Sequence, residues 1–162
     1  MTDKTLHILL AEDDEDDLVF FKEAIKELEI KTQVTVVNDG VELMEYLNQP
    51  NIELPHLIFL DLNMPRKGGI ECLKEIRSNP KLMHLSVAIY STSSSTEDIE
   101  ATFIKGANIY IKKPNDYSIL KTTLAHVIDI NWKYHQLGLT KENLSKCSCR
   151  ITLQAIFMSY LI

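Results

Sequence analysis

The sequence predicts an α/β protein built on a doubly wound, five-stranded parallel sheet. Three observations carry this: short apolar runs alternate with helical patterns five times, turn-forming residues fall between them, and 162 residues suffice for one buried core but not for two ordinary domains.

The first strand is read at Leu6 to Ala11, and the helix after it from Leu18, Phe21, Ile25 and Leu28, which recur at helical spacing. Val34 to Val37 forms the second strand, and Asn38-Asp39-Gly40 opens the helix that ends before Pro50. His56 to Leu60 is the third strand, followed by a helix carrying Ile70, Leu73 and Ile76 that Asn79-Pro80 closes. Val87 to Tyr90 is the fourth, with Ser95 or Thr96 capping the next helix and Glu97 and Asp98 in its positive first turn. Ile109 to Ile111 is the fifth, and Leu120, Leu124, Val127 and Ile128 mark the last helix. Right-handed crossovers place such helices on both faces of a parallel sheet. From Gly138 onward the alternation stops, so residues 1–137 are expected to form the domain and 138–162 a C-terminal tail. The tail ends in the apolar segment ITLQAIFMSYLI, which is expected to dock on the domain or on a second subunit unless it is an artefact of the reading frame.

Composition narrows the function. A net charge of −6 and the absence of a Lys/Arg cluster argue against direct nucleic-acid binding. No apolar stretch approaches the roughly 20 residues of a membrane span, and the amino terminus lacks a signal-peptide pattern, so a cytoplasmic location is expected. Cys72, Cys147 and Cys149 are read as thiols, and His7, His56, His84, His126 and His135 as structural or surface residues, having no metal or triad spacing.

Ligands of open parallel sheets bind at the carboxyl ends of the strands. There the first strand delivers Glu12 and Asp13, the third Asp61, the fourth Ser91 and Thr92, and the fifth Lys112, Lys113 and Pro114. Clustered carboxylates repel one another and call for a cation; oxygen ligands without His or Cys favour magnesium over zinc. A lysine beside Asp61 can pair with it and later with a bound phosphoryl oxygen. A carboxylate can serve as nucleophile in phosphoryl transfer when a cation and donors neutralise the transferring oxygens. Lys112 should face solvent, since adjacent strand residues point to opposite sides. Asp14 to Asp17 read as a solvated helix start.

The segments ILLAEDDEDD, LIFLDLNMPRKGG, VAIYSTSSSTEDI and GANIYIKKP resemble the motifs of two-component response regulator receiver domains, over about residues 5 to 130. The chain looks most like the stand-alone members often paired with bacterial phytochrome-type kinases. The resemblance implies a (βα)5 flavodoxin-like fold with strand order 2-1-3-4-5. By position it implies Asp61 as phosphoacceptor and magnesium held by Glu12, Asp13, Asp61 and the backbone carbonyl of Asn63, with Pro65, Gly68 and Gly69 shaping the loop. Ser91, with Thr92 as the alternative, would be the switch hydroxyl, Tyr110 the switch aromatic and Lys113 the phosphoryl-binding lysine, its bond to Pro114 cis. Glu12 stands where many members have Asp. The implied partners are a sensor histidine kinase or phosphotransfer protein and a downstream protein target, with homodimerisation open. A non-phosphorylated binding module and a magnesium-dependent phosphatase with an Asp nucleophile are the competing readings. Against the phosphatase, Asn63 stands where haloacid dehalogenase-like enzymes carry a second Asp; against flavin binding, the EDDEDD loop would repel a cofactor phosphate.

Overall fold

The structure, a computed structural model, describes residues 5–136. The expected tail at 138–162 lies outside them. Ten elements alternate: β1 (Leu6–Ala11), α1 (Glu15–Lys26), β2 (Thr32–Val37), α2 (Gly40–Leu47), β3 (Leu57–Leu60), α3 (Gly69–Ser78), β4 (Ser86–Ser91), α4 (Thr96–Ile104), β5 (Ile109–Lys112) and α5 (Tyr117–Gln136). All strand pairs are parallel and the order is β2-β1-β3-β4-β5, as expected.

Alternation along the strands divides the core in two. Ile8, Leu10, Phe59 and Tyr90 point to one face, where they pack with Phe21 and Ile25 of α1 and Leu120, Leu124 and Ile128 of α5. Leu9, Ile58, Leu60, Val87 and Ile89 point to the other, against Leu43 and Leu47 of α2 and Leu73 and Ile76 of α3. Phe21 meets Phe59 edge to face with ring centroids 4.9 Å apart. The central strands β1 and β3 are buried at every residue, which explains why they read as unbroken apolar runs.

Local signals set the helix starts. Asp14 caps α1 by accepting the Asp17 N–H at 3.0 Å, Asp39 caps α2 by accepting from Val41 and Glu42, and Ser95 caps α4 by accepting from Asp98. At the start of α3, Glu71 reaches back to the Gly68 N–H at 3.3 Å. Edge strand β2 starts two residues before the apolar run at Val34, because the half-exposed edge accepts the polar pair Thr32-Gln33.

The amino-terminal edge of β4 and β5 is fastened by one side chain. Arg77, in the last turn of α3, donates to the carbonyls of Gly106 (2.8 Å), Met83 (3.0 Å) and Leu85 (2.8 Å) and to Asn108 Oδ1 (2.8 Å). Asn108 Oδ1 also accepts the Val87 N–H at 2.9 Å. Burial lowers the pKa of this guanidinium from its ordinary value, and its neighbours are neutral acceptors.

Candidate phosphoryl and metal site

The opposite, carboxyl-terminal edge gathers most of the polar residues expected there. Glu12 and Asp13 follow β1 directly and Asp61 follows β3, so their register across the β1–β3 pair brings them side by side. Carboxylate oxygens of Glu12, Asp13 and Asp61 lie within 4.8 Å of one another, with Glu12 and Asp61 buried and Asp13 exposed. Gly69 permits the tight approach of α3 to this edge: a Cβ there would sit 2.2 Å from the Asp61 carbonyl oxygen. The Asn63 N–H donates to Asp61 Oδ1 at 3.2 Å, while the Asn63 side chain is exposed.

Lys113 enters from the end of β5 with its side chain only 6% exposed. Its ammonium lies 2.6 Å from Glu12 Oε2, 2.8 Å from Asp17 Oδ2 and 3.1 Å from Asp61 Oδ2. It also stands 5.2 Å from the centroid of the Tyr90 ring. Burial alone would lower the pKa of this lysine. The Asp17, Glu12 and Asp61 carboxylates outweigh burial and hold it above its usual range. Lys112 is exposed, as alternation along β5 requires.

Three carboxylates, Glu12, Asp17 and Asp61, thus share one ammonium, and Asp13 lies beside two of them. Burial pushes the Glu12 carboxyl up to about 7, against the opposing pull of Lys113. Glu12 Oε1 accepts the Asp14 N–H at 3.1 Å. Oε2 forms the ion pair with the Lys113 ammonium at 2.6 Å. Carboxylate oxygens clustered in this way, with one ammonium among them, are a donor set suited to a hard divalent cation, which takes oxygen ligands and neutralises charge. Glu12, Asp13 and Asp61 fit such an ion.

Ser91 is fully buried at the end of β4, and its Oγ accepts the Ser93 N–H at 3.3 Å, whereas Thr92 is exposed. Tyr110, half-buried on β5, donates its hydroxyl to the Ser93 carbonyl at 3.0 Å, and burial raises its pKa. Ser93 Oγ in turn donates to Asp98 of α4 at 2.5 Å. The β4–α4 loop is therefore tied to both β5 and α4. On the other side of the site, Arg66, with a positive φ of 61°, follows Pro65 and pairs with Asp39 and Glu42 at the start of α2.

Two expectations need correction. The Lys113–Pro114 bond is trans, since the described residues contain no cis peptide bond. Trans is the intrinsic preference of an X–Pro bond by about 0.5–1 kcal/mol, and Lys113 reaches Asp61 with it. Nor is the whole of Asp14 to Asp17 a solvated helix start: Asp14 is the cap, but Asp17 turns inward to Lys113. No local signal marks Asp17 apart from its neighbours, because its partner lies 96 residues away.

Residues 8–125 match the response regulator receiver domain family. The response regulator Rcp1 of Synechocystis sp. is 36% identical over 110 residues, covering 65% of this chain and 75% of that protein. The crystal structure of the phosphorylated cyanobacterial phytochrome response regulator RcpA is similar with a TM-score of 0.73 and 35% identity, over 78% of this chain and 93% of that one. The Mn(2+)-bound form of Rcp1 is similar with a TM-score of 0.70 and 32% identity, over 76% and 91%. No helix among the described residues is long and apolar enough to cross a membrane.

Proposed function

The chain belongs to the response regulator receiver domain family, and on that premise we propose that it is a phosphorylation-controlled cytoplasmic switch with Asp61 as phosphoryl acceptor. The observation that carries this reading is the convergence of Asp61, Glu12, Asp13 and Lys113 on one sheet edge. The donor is a phosphohistidine on a sensor kinase or phosphotransfer protein. An Asp61 carboxylate oxygen forms the new O–P bond while the P–N bond breaks, its electron pair staying on the ring nitrogen of the departing imidazole.

Glu12, Asp13 and Asp61, with the Asn63 carbonyl, would hold magnesium, which when bound offsets charge on the transferring oxygens. Lys113 supplies the protein's own positive charge beside Asp61. Ser91 and Tyr110 answer the new charge: Ser91 stands at the end of β4, and Tyr110 is bonded to the loop that leads to α4. The output is a changed protein-docking face at α4, β5 and α5. The RcpA and Rcp1 structures support the reading, since one is described as phosphorylated and the other as metal-bound.

The test is mass spectrometry after incubation with magnesium and a small acyl phosphate donor. One phosphoryl adduct is expected on the wild type and none on Asp61→Asn. An unmodified wild type, or an adduct that persists in Asp61→Asn, would overturn the assignment.

A further inference from the structure

Lys113 is held by a residue that the phosphoryl chemistry does not require. Asp17 Oδ2 lies 2.8 Å from the ammonium, closer than Asp61 at 3.1 Å, and it reaches there from the first turn of α1. The three partners are not equivalent. Glu12 is fully buried and Asp61 nearly so, whereas the Asp17 side chain is 32% exposed.

Phosphorylation of Asp61 replaces one carboxylate charge by up to about two negative charges further out along the side chain. An ammonium that follows this charge outward must loosen its hold on Glu12 or on Asp17. Glu12 cannot turn to water, whereas Asp17, partly exposed, can rehydrate in place. Asp17 is therefore the partner that yields.

We propose that Asp17 is a positioning residue that holds the Lys113 ammonium in its resting place and thereby opposes its engagement by a phosphoryl group on Asp61. The proposal rests on the phosphoacceptor reading above. It involves no bond change beyond the phosphoryl transfer already described: Lys113 stays protonated throughout and exchanges one anionic acceptor for another. Asp17 thus biases the balance between the resting and phosphoryl-engaged states without touching the reacting atoms.

The experiment is titration with beryllofluoride at saturating magnesium, followed by fluorine NMR and calorimetry, on the full chain. Asp17→Ala is expected to tighten binding by about 3- to 10-fold, the effect of one partly exposed charge-assisted contact. Loss of any acid near an anion site also relieves long-range repulsion. Asp16→Ala is the control, because Asp16 is an exposed neighbour on the same helix outside the Lys113 ion pairs, and it should change binding less than about twofold. Asp17→Glu should return the affinity towards wild type, and in a Lys113→Ala background the Asp17→Ala effect should fall to that of Asp16→Ala. Should Asp17→Ala unfold, Asp17→Asn carries the same comparison with its side-chain volume kept. Equal effects of Asp17→Ala and Asp16→Ala, or weaker binding by Asp17→Ala, overturn the positioning role and leave Asp61 as acceptor. A wild type that binds no beryllofluoride overturns both.

Discussion

Lys113 and Arg77 are cations drawn in from solvent at opposite edges of the same sheet, and they have opposite surroundings. Arg77 donates to three backbone carbonyls and one amide oxygen. Lys113 faces three carboxylates, with a fourth close by. Neutral carbonyls fixed in the backbone cannot leave, so Arg77 can only stabilise. Carboxylates compete for one ammonium and can exchange it for another charge, so Lys113 can report on what has bound. A saturated neutral network makes a rivet, and an over-subscribed charged one makes a switch.

The contrast is broken most directly at Arg77. Arg77→Ala removes the donors to four acceptors and should cost about 2–4 kcal/mol of stability, less than the sum of its bonds because part of the site rehydrates. Urea unfolding measures it, and the fraction that remains folded should still form the phosphoryl adduct. A variant as stable as wild type, or one folded but unable to form the adduct, would end the distinction.

Added magnesium probes the other edge. At a hundred times its dissociation constant it should raise stability by about 2.7 kcal/mol. Asp13→Ala should lose that increment and Arg77→Ala should retain it, both read from unfolding midpoints with and without the ion. An increment lost in Arg77→Ala would mean that the two edges are coupled.

Lys113→Ala, by contrast, should weaken beryllofluoride binding by about 10- to 100-fold, the worth of a charge-assisted hydrogen bond, while the domain stays folded in magnesium. Calorimetry gives the affinity and circular dichroism the fold; unchanged affinity would make Lys113 a second rivet.

The smallest expected effect belongs to the fixed side of the molecule. Cys72, buried on α3 with its Sγ 3.5 Å from the Gly40 carbonyl, has its thiol pushed up to about 11 by burial. The folded value lies above the unfolded one, so the stabilising contribution is complete below pH 9 and is lost as pH rises through 11. Wild type should therefore lose up to about 2 kcal/mol of its advantage over Cys72→Ala across that window. An advantage that does not shrink with pH would show that Cys72 ionises freely in the folded protein.

Most of the fold was legible because its signals are local. Runs of three to six mostly apolar residues placed all five strands, and caps such as Asp39 and Ser95 placed helix starts. Boundaries slipped where an edge strand tolerates polar residues, as at Thr32-Gln33. Strand-end reasoning also brought Glu12, Asp13, Asp61 and Lys113 to one place. Asp17 and Arg77 were not legible. Their significance depends on partners 96 residues away for Asp17, and on carbonyls from two different loops for Arg77. A helix-start acid and a helix-end arginine look ordinary until those partners arrive. The trans geometry at Pro114 was hidden for another reason, since nothing in the Lys113-Pro114 pair itself fixes the isomer.

The distance in sequence between Asp17, Asp61 and Lys113 also matters during synthesis. Contacts spanning 96 and 52 residues exist only after the chain has been made past Lys113 and β5 has joined the edge of the sheet. At about 5–20 residues per second, a ribosome spends several seconds on the stretch from Asp61 to Lys113. A nascent chain in that interval carries Asp61 but lacks its lysine, so the carboxylate cluster gains its counter-charge only once β5 has docked.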